Sequence, residues 1–132
     1  MTAEPRAATR WQWGLAVLVS LVMWAPAWIE LHQSGFGDWQ QFSHWWELGV
    51  VSARRWGELA LWDPHHCGGV SQWGQPQAQN YGPLYLLFAV PLGTVLGQKL
   101  FLTVHTILGW VGTYRLARRD AELAPVGAFF AA

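Results

Sequence analysis

From Trp11 to Ile29 the chain runs 19 residues without a charged side chain, between Arg10 and Glu30. Within that stretch only Gln12 and Ser20 are clearly polar. As an α-helix it would be about 28 Å long, close to the ~30 Å hydrocarbon core of a bilayer. Trp11 and Trp13 mark one end, and Trp24 and Trp28 lie towards the other, as in an interfacial aromatic belt. The stretch therefore reads as a transmembrane helix over residues 11–31, preceded by a tail at residues 1–10. A cleaved leader competes with a retained anchor. Arg6 and Arg10 would form its basic region, and Ala25-Pro26-Ala27 has the small residues of a cleavage site. Proline is unusual at that site, and the rest of the chain is again apolar. The retained reading is favoured, with Pro26 kinking the helix near its outer end.

Composition agrees with a membrane setting. Charged residues make up 12% of the 132, against about 25% in an ordinary soluble domain. The formal net charge is zero and 52% of residues are hydrophobic, which excludes a disordered chain. No basic run exists to bind nucleic acid. A single cysteine, Cys67, excludes an intrachain disulfide framework and a multi-cysteine zinc module.

Two further apolar stretches follow. Gly82–Gly97 (GPLYLLFAVPLGTVLG) is short and interrupted by Pro91, so residues 82–97 read as a re-entrant or short membrane helix. Residues 99–117 read as a second transmembrane helix, with the Lys99 stem snorkelling at one end. The basic residues set the topology. Arg6 and Arg10 hold the N-terminus in the cytoplasm, and Arg115, Arg118 and Arg119 return to it. Residues 30–98 carry five acids against two bases, which suits the outside. Residues 118–132 then form a cytoplasmic loop and the start of a further apolar helix. That helix is too short to cross, so the chain reads as the front of something longer. The expected fold is all-α: membrane helices with an external loop at residues 32–81.

That loop holds the chemistry. Over about residues 38–59, Trp39, Phe42, Trp46, Val50, Ala53 and Gly57 recur at helical spacing. Gln40, His44, Glu47, Arg54, Arg55 and Glu58 fall mostly opposite. The spacing predicts an amphipathic helix, lying on the outer leaflet or packed on neighbouring spans. Asp38 opens it. The residue is either an N-cap paired with Gln41 or a carboxylate held at the surface as a general base or metal ligand. Arg54 and Arg55 suit a phosphate or lipid headgroups. His44 and Glu47, at i and i+3, share a helix face; that spacing suits a cation, but exposed polar surface is the favoured reading. Asp63 lies in Leu61-Trp-Asp-Pro64, before His65-His66-Cys67-Gly68-Gly69, a turn-rich run. Adjacent residues seldom converge on one ion, so this run is not read as a metal centre. Gln72–Tyr81 (QWGQPQAQNY) is rich in amides, suited to sugar hydroxyls or to plain turns. His105, inside the last apolar stretch, is either functional or hydrogen-bonded to another helix.

The order of these features is distinctive. A first span precedes Gly37-Asp38 and an amphipathic helix. Then come Gly57-Glu-Leu-Ala-Leu-Trp-Asp-Pro64, Gly68-Gly69, Asn80-Tyr-Gly-Pro-Leu84 and Tyr114-Arg-Leu-Ala-Arg-Arg119. Over roughly residues 11–132 the chain resembles the N-terminal part of the bacterial YfhO-like membrane proteins. It is also similar to the membrane family labelled 6-pyruvoyl-tetrahydropterin synthase-related. Both resemble the C-type superfamily of multi-span glycosyltransferases. The resemblance implies an incomplete fold of that type in the bacterial inner membrane. It implies transfer of a sugar from a polyprenyl phosphate at the outer face. It places the catalytic base at Asp38 and allows a divalent cation there. Arg54, Arg55, Asp63, Asn80 and Tyr81 are the expected substrate-binding residues. The expected partners are the bilayer, the lipid-linked donor and further membrane subunits. The alternative is a small non-catalytic membrane protein, a subunit or scaffold whose loop binds lipid or a partner.

Overall fold

The computed structural model describes residues 10–33, 37–78 and 81–132. The fold is mainly helical, as expected. Its elements are α1 (Arg10–Ile29), α2 (Asp38–Trp56), β1 (Trp62–Asp63), β2 (Val70–Ser71), α3 (Pro83–Leu92), α4 (Thr94–Arg119) and α5 (Pro125–Ala131). They form two compact units, Met1–Ala25 with Leu102–Ala132, and Pro26–Phe101.

In the first unit α1 is turned inside out relative to a helix in water. Gln12, Ala16 and Ser20, spaced at i, i+4 and i+8, are its buried residues. Leu18, Leu21, Val22 and Met23 are exposed. The Ser20 hydroxyl is satisfied within the helix by the Ala16 carbonyl at 2.8 Å. Small and polar residues on the packed face, with apolar residues outward, is the arrangement expected where lipid replaces water. Only 17% of the Trp11–Ile29 stretch is buried, whereas the core helix of a soluble protein is mostly buried. Two hydrogen bonds tie it to α4. Gln12 Nε2 donates to the Tyr114 hydroxyl at 2.6 Å, and Trp24 Nε1 donates to Thr106 Oγ1 at 2.8 Å. As α1 is followed forwards its partners run backwards along α4, so the tied segments are antiparallel. The Arg115 guanidinium stands over the Trp13 ring, 5.7 Å from its centroid. Tyr114, Ala117 and Ala128 form a small core with Trp110 and Phe129, which seats α5 on α4.

Among the described helices only α1 is both long and apolar enough to cross a membrane. The second expected span does not pass the same test. Residues 99–117 lie inside α4, which is long enough at 26 residues. Gln98, Lys99, His105 and three glycines dilute its apolar character. Lys99 does not snorkel either. It is buried, and its ammonium donates to the Glu30 carbonyl.

The second unit is built round α2. Its buried residues are Trp45, Trp46, Gly49, Val50 and Ser52, a face rotated from the predicted stripe, and Trp39 is exposed. The helix ends at Trp56 rather than 59, where the Gly57 N–H bonds back to the Ala53 carbonyl at 3.1 Å. α2 packs on α3. Trp46, Tyr85 and Phe101 meet edge-on or tilted, with centroids 5.2–6.2 Å apart. The Tyr85 hydroxyl donates to the Trp46 carbonyl at 3.3 Å.

The expected single element at 82–97 is two. α3 stops at Leu92, Gly93 breaks the chain, and residues 94–97 already belong to α4. α3 and α4 then come together at Gly97, where an added Cβ would fall 2.4 Å from the Ala89 Cα. Gly97→Val should therefore force the helices apart and cost about 1–3 kcal/mol. Gly109, with nothing within 4 Å of a Cβ position, should accept alanine without loss. Thermal unfolding of the two variants in detergent, followed by circular dichroism, measures both.

Candidate functional site

The site grows from a two-residue antiparallel ladder the sequence did not announce. Trp62 pairs with Ser71, and Asp63 with Val70. Between them lies Pro64-His-His-Cys-Gly-Gly69. The Gly69 N–H closes a turn on the His66 carbonyl at 2.6 Å. Cys67, Gly68 and Gly69 all have positive φ, at 48°, 78° and 121°. Only glycine fits at 69, where a Cβ would lie 2.2 Å from the Trp62 ring.

This turn encloses Asp63, which has no exposed surface. Its Oδ1 accepts the His65 N–H at 2.9 Å, a turn Asp commonly forms with its own backbone. Its Oδ2 faces two imidazoles, His66 Nδ1 at 2.9 Å and His44 Nε2 at 3.3 Å. Burial pushes the Asp63 carboxyl up. The His65 N–H, His66 and His44 together outweigh that effect and hold it below the usual carboxylate range. Asp63 is thus a buried anion, while the two histidine side chains remain 41% and 37% exposed.

The amide-rich loop is fastened beside this turn. The Gln72 N–H donates to the Leu61 carbonyl at 2.9 Å. Trp46 Nε1 donates to the Gln77 carbonyl at 2.8 Å, fixing the loop to α2. The Tyr81 hydroxyl donates to the Ala60 carbonyl at 3.0 Å, and its ring meets Trp73 edge-on. Burial pushes the Tyr81 phenol up.

The expected site residues are therefore dispersed. Asp38 is the first residue of α2 and exposed; Gly37, not Asp38, occupies the N-cap position. Arg54 is exposed, and its Nε donates to the Val90 carbonyl near the C-terminal end of α3, where a cation suits the helix dipole. Arg55 lies over the Trp56 ring at 5.5 Å. Asn80 lies outside the described residues. Tyr81 ties down its loop. Only Asp63 sits in a cluster of functional groups. Glu47 does not join His44; it accepts the Thr94 hydroxyl instead.

The sequence reading missed the convergence of His44 with Asp63 and His66. Among the described residues these three are the one set of His, Cys, Asp or Glu side chains able to hold a metal ion, with ligand atoms all within 4.8 Å. Among the described residues no such set includes Asp38. The missed signal was weak: His44 lies on the polar face of α2, and nothing local links it to residues some twenty positions on.

No protein-family model, curated protein or solved structure matches the chain.

Asp63→Ala leaves the His65 N–H without its partner and should destabilise the fold by about 3 kcal/mol. Tyr81→Phe removes one neutral hydrogen bond and should cost about 1 kcal/mol. Near-ultraviolet circular dichroism melts, which follow the packed tryptophans, rank the two.

Proposed function

We propose that this chain is the front part of a multi-pass bacterial inner-membrane glycosyltransferase, of incomplete C-type fold, with its N-terminus in the cytoplasm. It takes a sugar from a polyprenyl phosphate at the outer face. Asp38 removes the proton from the acceptor hydroxyl, and Arg54, Arg55, Asn80 and Tyr81 bind substrate, while Asp63, enclosed in its turn, shapes the loop beside them. The observation that carries this reading is the exposed Asp38 carboxylate at the start of a tryptophan-rich helix. It follows an apolar helix long enough to cross a bilayer by eight residues of chain. A lipid-borne donor requires its acceptor and base to meet at the membrane surface, and such a carboxylate is suited to that. The antiparallel tie between α1 and α4 fits a chain that turns back after its first apolar helix. The cation–π contact of Arg115 with Trp13 puts basic residues at the same end as Arg10.

The test uses the full-length protein in vesicles carrying a polyprenyl-phosphate sugar. Asp38→Asn should lower transfer by roughly 10²–10⁴, the usual contribution of a general base. Unchanged transfer removes Asp38 from the chemistry. Failure of the wild-type protein to transfer any sugar from such a donor favours the non-catalytic, lipid- or partner-binding reading.

A further inference from the structure

The geometry points to a binding site for a divalent transition metal, Zn²⁺ being the best match, formed by His44, Asp63 and His66. Two imidazole nitrogens and one carboxylate oxygen form the ligand set of many open metal sites, which leave a fourth position for water or substrate. Mg²⁺ and Ca²⁺ prefer oxygen ligands and suit this set poorly.

The distances fit. Around a tetrahedral Zn²⁺ with bonds of about 2.0–2.1 Å, neighbouring ligand atoms lie about 3.3 Å apart. Here Asp63 Oδ2 is 3.3 Å from His44 Nε2 and 2.9 Å from His66 Nδ1, and all the ligand atoms fall within 4.8 Å of one another. Shifts of about an ångström or less in two side chains would bring an ion to bonding distance of all three. The two rings are tilted by 53° with centroids 4.9 Å apart, so they are not stacked face to face. Their lone pairs can converge on a point beside Oδ2.

The surroundings are those of a supported site. The His65 N–H engages Oδ1 and orients the carboxylate, leaving Oδ2 towards the imidazoles. Asp63 forms a buried floor, and the part-exposed histidines form walls open to solvent. The ligands come from separate parts of the chain: His44 from α2, Asp63 from the end of β1 and His66 from the turn that follows. A bound ion would therefore cross-link that turn to α2. The competing explanation is that both imidazoles simply donate to a buried carboxylate. That arrangement requires an N–H at each contacting nitrogen, whereas metal binding requires lone pairs there. This inference does not rest on the transferase reading.

The whole chain, purified in detergent and freed of metal, is titrated calorimetrically with Zn²⁺ and spectroscopically with Co²⁺. One saturable Zn²⁺ per chain is expected. His44→Ala and His66→Ala should each weaken binding about 100-fold or more, beyond the usual effect of losing a supporting group. Both residues are part-exposed, so folding is retained and checked by circular dichroism. Cys67→Ser should bind as the wild type does. The Co²⁺ form should show visible d–d bands without the near-ultraviolet thiolate charge-transfer band. Absence of saturable binding overturns the inference. So does full affinity in either histidine variant, loss of affinity in Cys67→Ser, or a thiolate band.

Discussion

A carboxylate without exposed surface is the group that residues 26–101 can least leave unpaired. An isolated buried anion costs several kcal/mol, so the chain must supply donors or a cation. Asp63 obtains them from three places: its own turn, the imidazole of His66, and a helix nineteen residues earlier. The first two contacts shape the turn from Pro64 to Gly69. The third fixes how the turn meets α2. The amide loop is held in its place by Trp46, whose ring also belongs to the aromatic cluster under α2. One ionised oxygen and one indole thus connect most of this unit.

The other unit answers a different constraint. In α1 the few polar side chains are hidden and the large apolar ones face outward. In water this arrangement would forfeit most of the hydrophobic driving force, because the apolar area stays wet. In lipid the same face costs nothing, and close packing with a few hydrogen bonds takes over.

These two constraints differ in how visible they are in a sequence. A missing charge over nineteen residues is local, and α1 was legible from it directly. The helical period of α2 was equally plain, although the buried face is set by Tyr85 and Phe101, which no periodicity within 38–59 reveals. The short ladder at Trp62 and Val70 has too few residues to show alternation. The break at Gly93 escaped because Thr94–Gly97 continues the apolar run unchanged. The meeting of His44 with Asp63 and His66 is a product of tertiary contact. Within α2 the only neighbour offered to His44 is Glu47, an i,i+3 pair that reads as exposed polar surface, since such neighbours share a face whether or not they touch. The Asp38 reading depended on a resemblance, and the exposed position of that carboxylate fits either a cap-adjacent charge or a base.

The two bonds from α1 to α4 have a mechanical meaning. Gln12 and Trp24 are twelve residues apart, so they leave the helix at directions differing by about 120°. A single peg would let the cylinder swivel about it. Two pegs at different bearings and heights act like a key cut for two wards: neither turning nor sliding is possible without withdrawing one. Apolar packing alone discriminates poorly among the rotations of such a uniformly greasy rod. The side of α1 that faces outward is therefore chosen by a glutamine and an indole, the two side chains through which the rod reaches α4.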